Sequence, residues 1–142
     1  MSHPFDLALL QRARDAANAD RALAALGSCD LRLGVKADGA AFLVDFVAFE
    51  CVAVAEVDAD GLRDAEIVIE QDAASWQRYL DGRRMGTAPT LVSLDLDLPG
   101  GLVSAADPLK ALKFERYHLT LQAFFDTLAG LADSSAARHA VV

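Results

Sequence analysis

Between Phe5 and Glu70 the sequence changes its period once, and that change constrains the fold more than any other feature. In the first stretch, Phe5, Leu9, Ala13, Ala16, Leu23 and Leu26 form a helical stripe with charged residues between them. Gly27 is placed to end this segment in a left-handed conformation. Asn18 and Asp20 leave open whether the segment is one helix or two. From Leu31 onward the spacing becomes two. Leu31, Leu33 and Val35 alternate with Arg32, Gly34 and Lys36, the pattern of a strand with one buried face. Asp38-Gly39 is a turn pair. The run "FLVDFVAFECVAVAEV" is too long for one strand and reads as two, about 41–48 and 50–57, joined around Phe49-Glu50. "DADG" at 58–61 is a second turn, and "AEIVIE" at 65–70 a fourth strand. An antiparallel meander is the economical arrangement.

Asp72 is an apt N-cap for a helix over Ala73–Leu80, with Gly82 as its stop and Arg83 and Arg84 just beyond, where cations suit the helix dipole. After the loop "GTAPT", Val92, Leu94, Leu96 and Leu98 alternate with Ser93, Asp95 and Asp97, which predicts a strand ended by Pro99-Gly100-Gly101. "LVSA" is a further short strand. Asp107-Pro108 opens a helix from Leu109 to about Leu131, carrying Leu112, Tyr117, Leu121, Phe124, Phe125 and Leu128. Residues 133–142 read as a loose tail after a single domain over 1–132. The class is α+β: an antiparallel sheet of about five strands, helices packed on one face, a helix at the N-terminus and an apolar one at the C-terminus.

A net charge of −8 and a pI near 4.7 argue against nucleic acid, which needs a basic surface, and disfavour anionic lipid headgroups. No stretch has the length and apolarity of a membrane span, so no stable membrane insertion is expected. Cys29 and Cys51 lack metal or redox spacing, and the start "MSHPFDLALLQRARD" lacks a signal-peptide pattern; together they suggest a reduced, cytoplasmic protein. The chain is 54% hydrophobic. Its large apolar residues exceed what a minimal core requires, and either an internal cavity or a homodimer face would use the excess.

Catalytic signatures are missing. The sequence has no phosphate-binding glycine loop, no HExxH and no GxSxG. Histidines stand at 3, 118 and 139, so only His118 is placed for a catalytic role, and neither a metal nor a cofactor is expected. Asp45 interrupts "FLVDFVAF" on the face opposite Phe42, Val44 and Phe46. In a cavity it would be a carboxylate of raised pKa and a general base; on a wet sheet face, the usual case, it is an ordinary solubilising charge. Asp95 and Asp97 would share a strand face, but no third cation ligand accompanies them. Phe124 and Phe125 are adjacent, so burying both requires apolar material over a wide arc of the helix.

The stretch "AEIVIEQDAASWQRYLDGR", then a loop, "GGLVSAADPLKALKF" and an apolar last helix together resemble the sterol carrier protein family of small lipid-transfer domains. Asp72, Trp76, Leu80, Gly82 and Asp107 carry the likeness, which spans most of residues 27–131. Residues 86–100 depart from it, being more strand-like than the helical link expected there. The resemblance implies a five-stranded sheet covered by helices and an apolar tunnel for lipids, fatty acyl groups or sterols. It implies no catalytic residues. Trp76, Leu80, Phe114, Leu121, Phe124 and Phe125 would line the tunnel. The expected function is therefore non-enzymatic binding or transfer of a hydrophobic small molecule. Two alternatives stand beside it: a cone-shaped enzyme resembling the ketosteroid-isomerase group, with Asp45 as base and Tyr117 or His118 as donor, and a homodimeric interaction module.

Overall fold

A computed structural model describes residues 6–21 and 23–141, with side chains described as far as Ala132. His3, Phe5 and the His139 side chain lie outside the described residues. In chain order the elements are α1 (Leu7–Ala19), a 3-10 turn (Ala24–Leu26), β1 (Leu31–Ala37), β2 (Ala40–Val47), β3 (Glu50–Val57), α2 (Ala59–Leu62), β4 (Ile67–Gln71), α3 (Ala73–Met85), α4 (Leu91–Asp97), β5 (Val103–Ala105) and α5 (Pro108–Val141). The α+β class is as expected, with a five-stranded sheet in the order β3-β2-β1-β4-β5.

The N-terminal segment is two pieces. Asn18 explains the break, because its side chain is committed to the sheet rather than to solvent. Its Nδ2 donates to Cys51 O (2.8 Å) and its Oδ1 accepts from Cys51 N (3.0 Å), so one amide satisfies both backbone groups of a residue on the edge strand β3. Gly27 follows the 3-10 turn with a positive φ of +98°, but its ψ of 180° is extended rather than the left-handed helical conformation expected of it. The β1–β2 and β2–β3 hairpins are antiparallel, as the alternation predicts. A bulge leaves Val52 between Cys51, opposite Phe46, and Ala53, opposite Asp45.

The fourth strand departs from a simple meander, since β4 runs parallel to β1. A parallel neighbour needs a crossover, and here residues 58–66 supply it across the face of the sheet opposite the long helices. "DADG" is accordingly not a plain turn but the start of α2, capped by the Asp58 carboxylate accepting from Gly61 N at 2.8 Å. Gly34 makes room for this crossover: a Cβ there would stand 2.8 Å from Leu62 Cδ1 and 2.9 Å from Ala65 Cβ.

Three further expectations are corrected. Helix α3 does not stop at Gly82; it continues to Met85 and ends at Gly86 in the left-handed region, φ +76°. Gly82 serves close packing instead, since a Cβ there would meet Ala88 Cβ at 2.6 Å. The segment 91–97 is a helix rather than a strand, N-capped by Thr90, whose hydroxyl accepts from Ser93 N at 3.2 Å. Leu91, Leu94 and Leu98 follow helical spacing, and Leu96, which alternation would bury with Leu94, is 79% exposed. The last helix outruns its apolar stripe, its backbone remaining helical to Val141, through the segment read as a tail. Among the described residues no helix is long and apolar enough to cross a membrane.

The core lies between the sheet and helices α1, α3 and α5. Leu33, Val35, Val44, Phe46, Ile67 and Ile69 from the strands meet Leu10, Ala13, Trp76, Leu121, Phe124 and Leu128 from the helices, all of them fully or nearly fully buried.

Candidate functional site

Helix α3 starts where Asp72 caps it, the carboxylate accepting from Ser75 N at 2.6 Å. Its first N–H is taken by a second carboxylate, as Ala73 N donates to Asp38 in the β1–β2 turn (2.9 Å). Both bonds orient the helix against the sheet, and Trp76 locks it there. The indole Nε1 donates to Lys36 O of β1 (2.8 Å), and the ring stacks on Phe125 of α5, centroids 5.3 Å apart with an interplanar angle of 24°. Phe124 points the other way and meets Phe46 of the sheet edge-on at 5.6 Å. The wide apolar arc that Phe124-Phe125 demands is thus supplied by the protein's own sheet and α3.

This geometry decides where the tunnel residues inferred from the resemblance stand. Trp76, Leu80, Leu121, Phe124 and Phe125 are all 0–1% exposed and belong to one packed cluster. Phe114, also buried, borders a separate depression between α4 and α5 with Val92, Leu96 and His118. The six are brought together in one buried cluster.

A cleft of about 510 Å³ lies on the other flank of α3, beneath α4. One wall comes from the end of β4 and the outer turns of α3 and is mostly polar: Glu70, Gln71, Asp72, Ser75 and Arg78, with Tyr79 beside them. The opposite wall comes from the loop into α4 and from α4 itself. It is mostly apolar: Ala88, Pro89, Leu94 and Leu98, with Thr87 the exception. Gly82 forms part of the floor, where its lack of a Cβ lets Ala88 close in.

Gln71 is the residue in this cleft that sequence reasoning missed. It ends β4 on the same side as Ile67 and Ile69, so its side chain enters the helix-covered face. Its amide nitrogen is buried and has no hydrogen-bond partner among the described residues. Buried donors are nearly always paired, which makes the exception informative. A polar residue breaking the "IVI" alternation at an inward position was the available signal.

A polar network braces the cleft. Arg83 forms a two-pronged pair with Asp126 of α5, Nε–Oδ1 at 2.8 Å and Nη2–Oδ2 at 3.0 Å, and its Nη1 donates to Ala88 O at 3.1 Å. Gln122 donates to the Tyr79 hydroxyl (2.8 Å) and to Asp126 (2.9 Å), and its Oε1 accepts from Leu91 N (2.8 Å), the first amide of α4. Burial pushes the Tyr79 phenol well above its ordinary range. The network ties α3, the start of α4 and α5 together, so one wall of the cleft is rigidly held. The far end of α4 is held by Asp95, whose carboxylate accepts from Leu102 N (2.6 Å) and Val103 N (3.0 Å). Asp95 is therefore a backbone clamp and not half of a cation-binding pair.

The alternative catalytic set is dispersed. Asp45 lies on the outer sheet face, ion-paired to Arg32 at 3.0 Å across the β1–β2 ladder. Tyr117 and His118 are on α5, and the three residues border three different depressions. Among the described residues no group of His, Cys, Asp and Glu is arranged to hold a metal ion. Cys29 and Cys51 are buried, and desolvation pushes both thiols up to about 12, so they pack as small apolar groups.

Compared with protein-family models, with curated proteins and with solved structures, the chain has no match in any of the three.

Proposed function

We propose that this protein binds a hydrophobic small molecule, of lipid, fatty acyl or sterol-like character, without acting on it chemically, and that the cleft between α3 and α4 is where it does so. The observation that carries this reading is the division of that cleft: a polar wall from β4 and α3 faces an apolar wall from α4. An amphiphile fits such a seam, its apolar body against Leu94 and Leu98 and its polar end toward Gln71 and Ser75. The volume of about 510 Å³ falls in the range of about 300–1,000 Å³ typical of small-molecule sites.

The likeness to sterol carrier domains supports the same reading. A five-stranded sheet covered by helices agrees with it, and so does α4, the helical link that the alternation in "LVSLDLDL" disguises. Burial of about 300 Å² of apolar ligand surface would contribute about 7 kcal/mol, at roughly 25 cal/mol per Å². The cost of immobilising the ligand reduces this to micromolar affinity or weaker, which suits a carrier that must release its cargo.

Native mass spectrometry of the purified protein, before and after incubation with fatty alcohols and sterols, tests the reading. We expect adducts at ligand mass, and their loss in Leu94→Asp, which places a charge in the apolar wall. Bare protein under every condition would overturn it.

A further inference from the structure

The charges lining the cleft narrow the ligand's chemistry. Among the described residues, Arg78 is the one cationic side chain in the lining, set against two carboxylates, Glu70 and Asp72. Arg78 is already engaged. Its Nη2 donates to Ser75 Oγ at 3.0 Å, and its charge helps hold the Asp72 carboxyl below the usual range, after the Ser75 hydrogen bonds that dominate. Glu70 is paired with Lys36 at 3.6 Å, outside the cleft lining. A ligand carboxylate entering here would meet the Asp72 and Glu70 carboxylates, the latter paired with Lys36, and would find the lining's one cation already shared with Ser75 and Asp72, an arrangement that favours an uncharged head over an anion. The whole chain, at −8, adds to that field.

Gln71 asks for the opposite kind of group. Its buried amide nitrogen has donors to give and no acceptor to take them. The same residue lines the cleft, and the terminal torsion of a glutamine is soft enough for its amide to turn toward a ligand there. We propose that this cleft selects an apolar molecule whose head is an uncharged oxygen acceptor, such as an alcohol, ketone or ester, received by the Gln71 side-chain amide, and that it discriminates against the corresponding free carboxylate. The inference rests on the hydrophobic-ligand reading above and adds the identity of the head group to it.

The test uses the full-length protein, uniformly labelled with nitrogen-15 and titrated at pH 8 with 1-decanol, decanoate or decane. The Gln71 side-chain NH2 resonances and the dissociation constants are followed together. We expect 1-decanol to bind about fivefold or more tighter than decanoate and to move the Gln71 amide protons downfield. In Gln71→Leu, decanol affinity should fall about tenfold while decane is held within about twofold of wild type. Decanoate binding as tightly as decanol, or decanol binding with Gln71 unmoved and with no loss in Gln71→Leu, would overturn the inference while leaving the hydrophobic-ligand reading standing. If none of the three probes binds, this inference is overturned, and the parent reading is decided separately by mass spectrometry with sterols.

Discussion

Helix α3 has two flanks built from the same thirteen residues, and they do opposite things. The inner flank, Trp76 and Leu80, is sealed: both side chains are fully buried, and the indole is fixed by a stacked ring on one side and a backbone carbonyl below. The outer flank, Ser75, Arg78, Tyr79 and Gly82, borders open space and carries the cleft's polar wall. The sealed flank gives α3 its position, and the position makes a fixed wall of the outer flank. On the proposed reading, the abundant aromatic residues do not mark the binding site; they build the support on which a more modest, mixed-polarity seam is held.

That contrast can be broken at either flank. The largest effect belongs to the sealed one. Trp76→Ala removes the stack on Phe125 and the bond to Lys36 O, and should lower stability by about 3–5 kcal/mol in urea denaturation. At the floor between the flanks, Gly82→Ala forces a Cβ against Ala88 and should cost about 1–3 kcal/mol while displacing the cleft's apolar wall. If Gly82→Ala were neutral, the close approach of residues 87–88 to α3 would be wrong.

A smaller effect, remote from both flanks, comes from Glu66, which anchors α5 to the sheet. Burial by itself would raise its carboxyl, but hydrogen bonds from Lys113 (2.7 Å), Lys110 (2.9 Å) and Arg32 N (3.0 Å) outweigh burial and hold it down, from 4.5 to about 2. Because the folded-state value is depressed, its stabilising contribution is present above about pH 4.5 and is lost as pH falls toward 2. Glu66→Gln should remove about 1 kcal/mol at pH 7, after allowance for solvent screening, and flatten the acid limb of the stability profile. Thermal melts from pH 7 to 2 check the sign. The cleft's polar wall supplies a change of similar size and opposite direction: Gln71→Leu in the ligand-free protein should raise stability by about 1 kcal/mol, since it removes a buried donor with no partner among the described residues. A loss of stability of that size would mean the amide is satisfied after all.

What was legible in the sequence follows the same division. Period-two alternation from Leu31 to Val57 made the hairpins legible because one face of each strand packs against the helices and carries the large apolar side chains. Asp72 and Asp107 were readable as caps because their chemistry is local, and both carboxylates accept from the amide three residues on. The sealed core was legible in part, with Trp76 and Leu80 one turn apart. "LVSLDLDL" misled because a short Leu-x-Leu-x-Leu run also satisfies helical spacing through Leu91, Leu94 and Leu98; only the Thr90 cap separates the two, and it is a weak signal. The parallel placement of β4 depends on a crossover whose path is set by the missing Cβ of Gly34, a tertiary fact. The cleft was invisible for the same reason, since its walls come from segments that meet only after α4 has folded back.

The most direct test of the central claim is a chemical-shift map of 1-decanol bound to the labelled protein. Movement is expected at the amides of Gln71, Ser75 and Arg78 on one wall and Leu94 and Leu98 on the other, with the Trp76 indole N–H unmoved. Shifts concentrated on the Trp76 indole, Phe124 and Phe125 with the α4 amides silent would contradict this and move the site to the buried aromatic cluster.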